Sequence, residues 1–227
     1  ITYALTISAL LLPMGRLSDL IGRKKVYIAG TLVLALGAAL SGFSPTLEML
    51  FPSRVLQGVG AAMTQGTCMA IITSAFPANE KGRAIGLIMT MVGVGAVAGP
   101  AIGGLVVDSF GWRAVFFLTM PVEIIGVAAT LFVMRGWTEV REVGNARFDW
   151  LGATLSAGIL VALLIAMTTG NKAGWLSPPI LAAFAGAAAM LATFIWWELR
   201  ASAPMLDLRL FKGKTFSFGV SAAFLTF

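Results

Sequence analysis

Two ionisable residues stand inside otherwise apolar runs: Arg54 in LFPSRVLQGVGAA and Glu123 in FLTMPVEIIGVAA. A charge at hydrocarbon depth costs about 2.5 to 3.5 kcal/mol on insertion scales, so each should face a cavity or a partner and not lipid. The chain has no histidine and a single cysteine, Cys68, which removes the usual proton shuttle and any internal disulfide. Proton chemistry therefore falls to carboxylates. Glu123 lies about nine residues past the start of its apolar run at Ala114, roughly 13 Å deep at 1.5 Å per residue. Desolvation there favours the neutral acid, whereas a nearby cation favours the carboxylate. Proton and cation would then compete for one group, which is the chemistry of an exchanger. The plainer reading is a permanently protonated acid hydrogen-bonded within the helices, to Thr119 one turn away. For Arg54 the plainer reading is a snorkelling arginine.

A second pattern is geometric. Within the run from Ala84 to Val107, Gly95, Gly99 and Gly103 recur every four residues, beside Pro100 and Gly104. On a helix they form one side-chain-free stripe that a neighbouring backbone can approach closely. In water the segment would be a poor helix, since each interior Gly costs about 1 kcal/mol and Pro about 3. In lipid it is tolerable, because unfolding would strand backbone polar groups. The stripe predicts either a tight helix pair or a bend where two bundles rock.

Composition supplies the surroundings that these residues need. Hydrophobic residues make up 58% of the 227, charged residues only 11%, and mean hydropathy is +0.91. That is more apolar surface than a soluble core could hide, so the chain is read as an all-α integral membrane protein. Six complete spans are expected, near 26–44, 51–73, 84–107, 114–134, 151–168 and 180–197, with partial spans at each end. The chain begins and stops inside apolar runs and is expected to be a fragment. In alternate connections, Arg16, Arg23, Lys24, Lys25, Lys81, Arg83 and seven later basic residues down to Lys214 make thirteen on one side, against Arg113 and Lys172 on the other. The positive-inside rule places the thirteen in the cytoplasm. Because the basic residues sit in short runs between spans, the net charge of +6 points to a bilayer and not to nucleic acid.

The first cytoplasmic connection reads Gly15-Arg-Leu-Ser-Asp19-Leu-Ile-Gly22-Arg23-Lys24-Lys25. It is expected as a short loop with glycines at its turns, Asp19 capping a helix or pairing with a cation. This order resembles the latch loop of the major facilitator superfamily, between its second and third helices. The run around Arg54, Gln57 and Gly58 resembles the family's fourth-helix pattern, in which an intramembrane arginine is tied to proton coupling. The Gly95-x-x-x-Gly99-Pro100-x-x-Gly103-Gly104 stretch is similar to the fifth-helix pattern of its antiporters. Phe148-Asp149-Trp150-Leu-Gly152 and Pro204-Met-Leu-Asp207-Leu-Arg209-Leu-Phe211 look like the fourteen-helix drug:proton antiporters of the EmrB/QacA kind. One departure stands out: Thr119 and Glu123 replace an amide and a glycine that relatives commonly carry after Trp112-Arg113.

The resemblance implies a major facilitator fold and a chain running from the second helix into the ninth. Residues 1–134 would belong to the N-terminal six-helix bundle and 135–147 to a cytoplasmic loop. Two extra linker helices would follow at 148–197, a second cytoplasmic loop at 198–214 and the start of the C-terminal bundle at 215–227. It further implies export of hydrophobic or cationic drugs in exchange for protons across a bacterial inner membrane, with no cofactor or metal. In a Gram-negative host it admits a periplasmic adaptor as partner. A facilitator for sugars or other metabolites is the nearest alternative. An intramembrane protease would need a Ser/His pair or a Gly-x-Gly-Asp site, neither of which the sequence contains. A pore would conduct without a coupled cycle.

Overall fold

A computed structural model describes residues 2–136, 148–201 and 203–226. The stretch expected to form a cytoplasmic surface loop, including Trp137, Arg141 and Arg147, lies largely outside them. The helices are α1 (Thr2–Ile21), α2 (Arg23–Phe43), α3 (Leu47–Ala75), α4 (Lys81–Phe110), α5 (Trp112–Val133), α6 (Trp150–Ala173), α7 (Pro178–Glu198) and α8 (Lys214–Thr226), with a 3-10 turn at Leu208–Lys212 before the last. Seven of them, α1 to α7, are long and apolar enough to cross a membrane. The chain is thus all-helical among the described residues, and even α1, expected as a cut span, runs for 20 residues. The helices outrun the apolar stretches that announce them. α4 has 30 residues, or about 45 Å, enough to carry Lys81 and Asp108 through both head-group layers.

Sharp joints separate consecutive helices. The sequence reading of a loop from Gly15 to Lys25 is corrected here: helix continues to Ile21, and the connection is Gly22 alone, with φ 110°. A positive φ of that size suits glycine, and continuing the helix leaves only one residue's backbone outside it. Gly111, with φ 81°, joins α4 to α5 in the same way. Thr46 caps α3 by accepting the Met49 amide, and Asp149 caps α6 by accepting the Gly152 amide at 2.9 Å.

The chain divides into two compact units, 1–144 and 145–227. In the first, α3 is the central helix, packed along α1 and α2, while α5 packs on α2. These contacts depend on missing side chains. A Cβ at Gly60 would lie 2.7 Å from the Gly30 carbonyl and from the Leu34 Cα, and one at Gly37 would lie 2.5 Å from the Gln57 amide nitrogen. A Cβ at Gly58 would meet Thr6 of α1 at 2.6 Å. Small residues thus let the backbones meet, which drives helix association where lipid is as apolar as leucine. Hydroxyls are absorbed locally: Ser41, Thr64 and Thr67 each bond a carbonyl three or four residues back in their own helix. α4, like α5, has no buried residue. It leans away from α3 at one end, leaving a cleft of about 630 Å³ lined by Ile72, Phe76, Glu80, Arg83 and Leu87 among others.

In the second unit α6 and α7 form an antiparallel hairpin. Gly158 sits under the Met190 sulfur and Gly170 under the Trp175 ring, where a Cβ would approach to 2.9 and 2.8 Å. Phe211 of the 3-10 turn meets Phe216 of α8 edge-on at 5.1 Å.

Candidate functional site

Arg54 and Glu123 reach the same neighbourhood from different helices, linked by an amide. Counting from the helix starts at Leu47 and Trp112, Gln57 and Glu123 each lie about 15 to 17 Å in, so α3 and α5 bring them to one depth. The Arg54 Nη1 donates to the Gln57 Oε1 at 2.6 Å. With that oxygen occupied, the amide NH₂ group is the end of Gln57 left to face a carboxyl group, and the Glu123 side chain lies beside it. Gln57 is therefore a bridge from a cation to a carboxyl group. The second Glu123 oxygen, Oε2, is buried with no hydrogen-bond partner.

Arg54 is held by rings as well. Its guanidinium lies 4.8 Å from the Tyr3 ring centroid and 5.2 Å from that of Phe116, on α1 and α5. Cation–π contact of this kind offsets part of the desolvation of the charge. No described carboxylate is within ion-pair distance of it. Arg54, Gln57 and Gly58 all lie on α3, with Gln57 and Gly58 buried. Thr119 is a correction: its hydroxyl bonds the Phe116 carbonyl at 3.0 Å and is exposed, so it is not the partner of Glu123. A threonine on a helix satisfies itself on the preceding turn, and Gln57 is in reach across the interface. Tyr3 and Phe116 were not singled out by sequence. The stripe Phe116, Met120, Glu123, Val127, spaced by three and four, carries the signal for Phe116.

At the other end of the unit Arg23 ties three helices together. It pairs with Asp19 of α1 through Nη2 at 2.9 Å, donates Nε to the same oxygen at 3.0 Å and donates Nη1 to the Ala70 carbonyl of α3 at 3.2 Å. Asp19 therefore pairs with a cation and caps no helix, since Gly22 precedes α2 without a side-chain cap. Gly15 faces the Gly66 carbonyl of α3 and Ser18 is fully buried, so this end of α1 lies flat on α3. Lys24 opens the first turn of α2 beside Arg23.

The sequence profile of the Major Facilitator Superfamily matches residues 1–149. The chain belongs to that superfamily. It is 34% identical over 221 residues to the Multidrug resistance protein Stp of Mycobacterium tuberculosis (strain CDC 1551 / Oshkosh), a match covering 97% of this chain and 41% of that protein. To the Multidrug transporter protein MdtP of Bacillus subtilis (strain 168) it is 35% identical, covering 95% of this chain and 40% of the relative. The Riboflavin transporter RibZ of Clostridioides difficile (strain 630) is 34% identical, with 96% and 46% covered. The chain spans about two fifths of the length of the curated relatives that it matches most strongly.

Two further features of this superfamily member bear on the site. Gly95, Gly99, Gly103 and Gly104 all lie on α4, and a Cβ at any of them would meet nothing within 4 Å among the described residues. The stripe is thus a bare surface beside Pro100. Arg113, counted from the sequence only as an outer cation, acts as a tether: Nε and Nη2 donate to the Ser44 carbonyl at 3.2 and 3.1 Å, and Nη2 also reaches the Pro45 carbonyl at 3.0 Å. Its guanidinium stacks 4.4 Å over Trp112, so the start of α5 is fastened to the end of α2. The Trp-Arg dipeptide next to Gly111 was the available signal.

Proposed function

We propose that this chain is part of a secondary active transporter that exports drugs or other toxic hydrophobic or cationic compounds in exchange for protons. The observation that carries the reading is the chain of contacts from Arg54 through Gln57 to Glu123, inside helices long and apolar enough to span a membrane. Glu123 is the one carboxyl group in it, and its buried Oε2 leaves an acceptor that a proton or a cationic substrate can occupy. The Asp19–Arg23–Ala70 tie is the conformational latch, with Gly15, Gly22 and Lys24 shaping it, and the Gly95 to Gly104 stripe with Pro100 is the surface along which the antiporter cycle moves. The relatives named as multidrug proteins support the substrate class. The protein works in a bacterial inner membrane as a fourteen-helix carrier. The substrates and the lipid bilayer are its partners, with a periplasmic adaptor in a Gram-negative host.

In the full-length protein, Glu123→Gln keeps shape and removes ionisation. Export of cationic dyes should fall at least tenfold at equal membrane abundance, whereas neutral drugs should be much less affected. Equal export of both classes would return Glu123 to a structural role. The second reading, a carrier of a metabolite, is favoured by the similarity to a protein named for riboflavin. It requires uptake or exchange that survives a protonophore, which proton-coupled export does not.

A further inference from the structure

We propose that one end of the α6–α7 hairpin is a binding site for the head group of an ethanolamine phospholipid. The site is a cleft of about 460 Å³ between the start of α6 and the end of α7, lined by Phe148, Asp149, Trp150, Leu151, Trp197 and Arg200 among others. At about 30 Å³ per water it has room for roughly fifteen, ample for a phosphoethanolamine. Charge asymmetry along the chain puts this end on the cytoplasmic side, at head-group depth, and the proposal is independent of the export reading.

Both charges of a zwitterion find a counterpart in the cleft. The Arg200 guanidinium is stacked 4.4 Å over the Trp196 ring, which holds its planar fork ready for a phosphate. Asp149 accepts from the Gly152 amide at 2.9 Å and from the Trp197 indole at 3.0 and 2.9 Å. A carboxylate has about four acceptor positions, so capacity remains for an ammonium. Gly152 pins this acid and the buried Glu198 side by side: a Cβ there would lie 2.6 Å from one carboxylate and 2.7 Å from the other. Glu198 in turn accepts the Leu206 amide at 3.2 Å, which folds the chain after α7 back on the helix end. Trp150, 75% exposed and edge-on to Phe148 at 4.7 Å, supplies the interfacial aromatic surface for the glycerol region.

The charge pattern selects among lipids. A phosphatidylglycerol would set its phosphate beside two acids with no ammonium between them, and a choline has no N–H for Asp149. Ethanolamine supplies phosphate and donor together.

The test is native mass spectrometry of the full-length protein in mild detergent, titrated with phosphatidylethanolamine, phosphatidylglycerol and phosphatidylcholine of identical acyl chains. Ethanolamine lipid should be retained about tenfold more tightly than the other two, as two charge-assisted contacts warrant. Arg200→Ala should abolish the preference, and Ala203→Trp should do the same by filling the cleft. Asp149→Asn should raise the relative affinity for phosphatidylglycerol. Equal retention of the three lipids, tighter binding of phosphatidylglycerol by the unaltered protein, or a preference that survives both Arg200→Ala and Ala203→Trp would overturn the assignment. Should one variant unfold, the other and the lipid series decide.

Discussion

Replacing Gly60 by alanine tests how closely α2 and α3 are joined. The added Cβ would lie 2.7 Å from the Gly30 carbonyl oxygen and the Leu34 Cα, and nearer still to the Leu34 nitrogen, where ordinary contact needs 3.4 to 4 Å. All three obstacles are backbone, so no rotamer change relieves them. The helices must part by about 1 Å, and a gap of 0.5 to 1 Å already forfeits a quarter to a half of each dispersion contact along the seam. Overpacking of this kind costs about 1 to 3 kcal/mol. Rigid obstacles on three sides place Gly60→Ala at the upper end. Better helix propensity returns about 1 kcal/mol, for a net loss of about 2 kcal/mol. Gly126→Ala on α5 is the control, since its Cβ would meet nothing within 4 Å and only the propensity gain remains. Reversible unfolding of the full-length protein in mixed micelles, followed by tryptophan fluorescence, should separate the two variants by about 3 kcal/mol. A Gly60→Ala protein as stable as the Gly126→Ala protein would refute the packing argument.

Gln57→Leu removes the amide between Arg54 and Glu123 at similar volume, leaving the Arg54 guanidinium short of a bond worth about 1.5 to 3 kcal/mol; proton-coupled export should collapse, and transport with its normal pH dependence would show that the bridge is idle. Asp19→Asn breaks an exposed ion pair worth at most about 1 kcal/mol, so insertion and thermal stability should hold while transport is lost. Normal export by that variant would remove the latch. Gly99→Val puts a branched side chain on a bare part of α4, so if the stripe meets a moving partner in the whole protein, coupling should fail or protons should leak. Unchanged coupled export would reduce the stripe to lipid-facing surface.

Hydropathy reached the spans, because each is long, whereas the family was carried by the motifs around Asp19, Arg54 and Gly99. The spacing of three between Arg54 and Gln57 placed them together on α3, and their hydrogen bond follows from it. The partner of Glu123 did not follow, since periodicity describes one helix at a time and Gln57 comes from another. The same limit explains the glycines. The evenly spaced set on α4 is the conspicuous one in sequence, yet the glycines that meet a neighbouring helix's backbone lie on α1, α2 and α3; those on α3, Gly58, Gly60 and Gly66, are spaced unevenly because Gly58 and Gly66 face α1 and Gly60 faces α2. The latch loop, expected over Gly15 to Lys25, was too long by ten residues for a related reason: a helix in lipid gains from pairing every backbone group, so polar Arg16 and Asp19 stay helical, and only the positive φ of Gly22 ends the run.

The hydroxyls that bond within their own helices have a mechanical consequence. A seam whose polar atoms are already satisfied on their own side, as at Ser41, Thr64 and Thr67, presents no hydrogen bond to break when one helix slides past the next. Friction along such a seam comes from shape alone and is spread over many weak contacts. Resistance is instead concentrated where a side chain crosses between helices: Arg23 on the Ala70 carbonyl, Arg113 on the Ser44 carbonyl, the Ser44 and Ser53 hydroxyls on each other, and Gln57 between Arg54 and Glu123. The unit is lubricated along its length and braked at a few points, and a change of charge at Glu123 acts on one of the brakes.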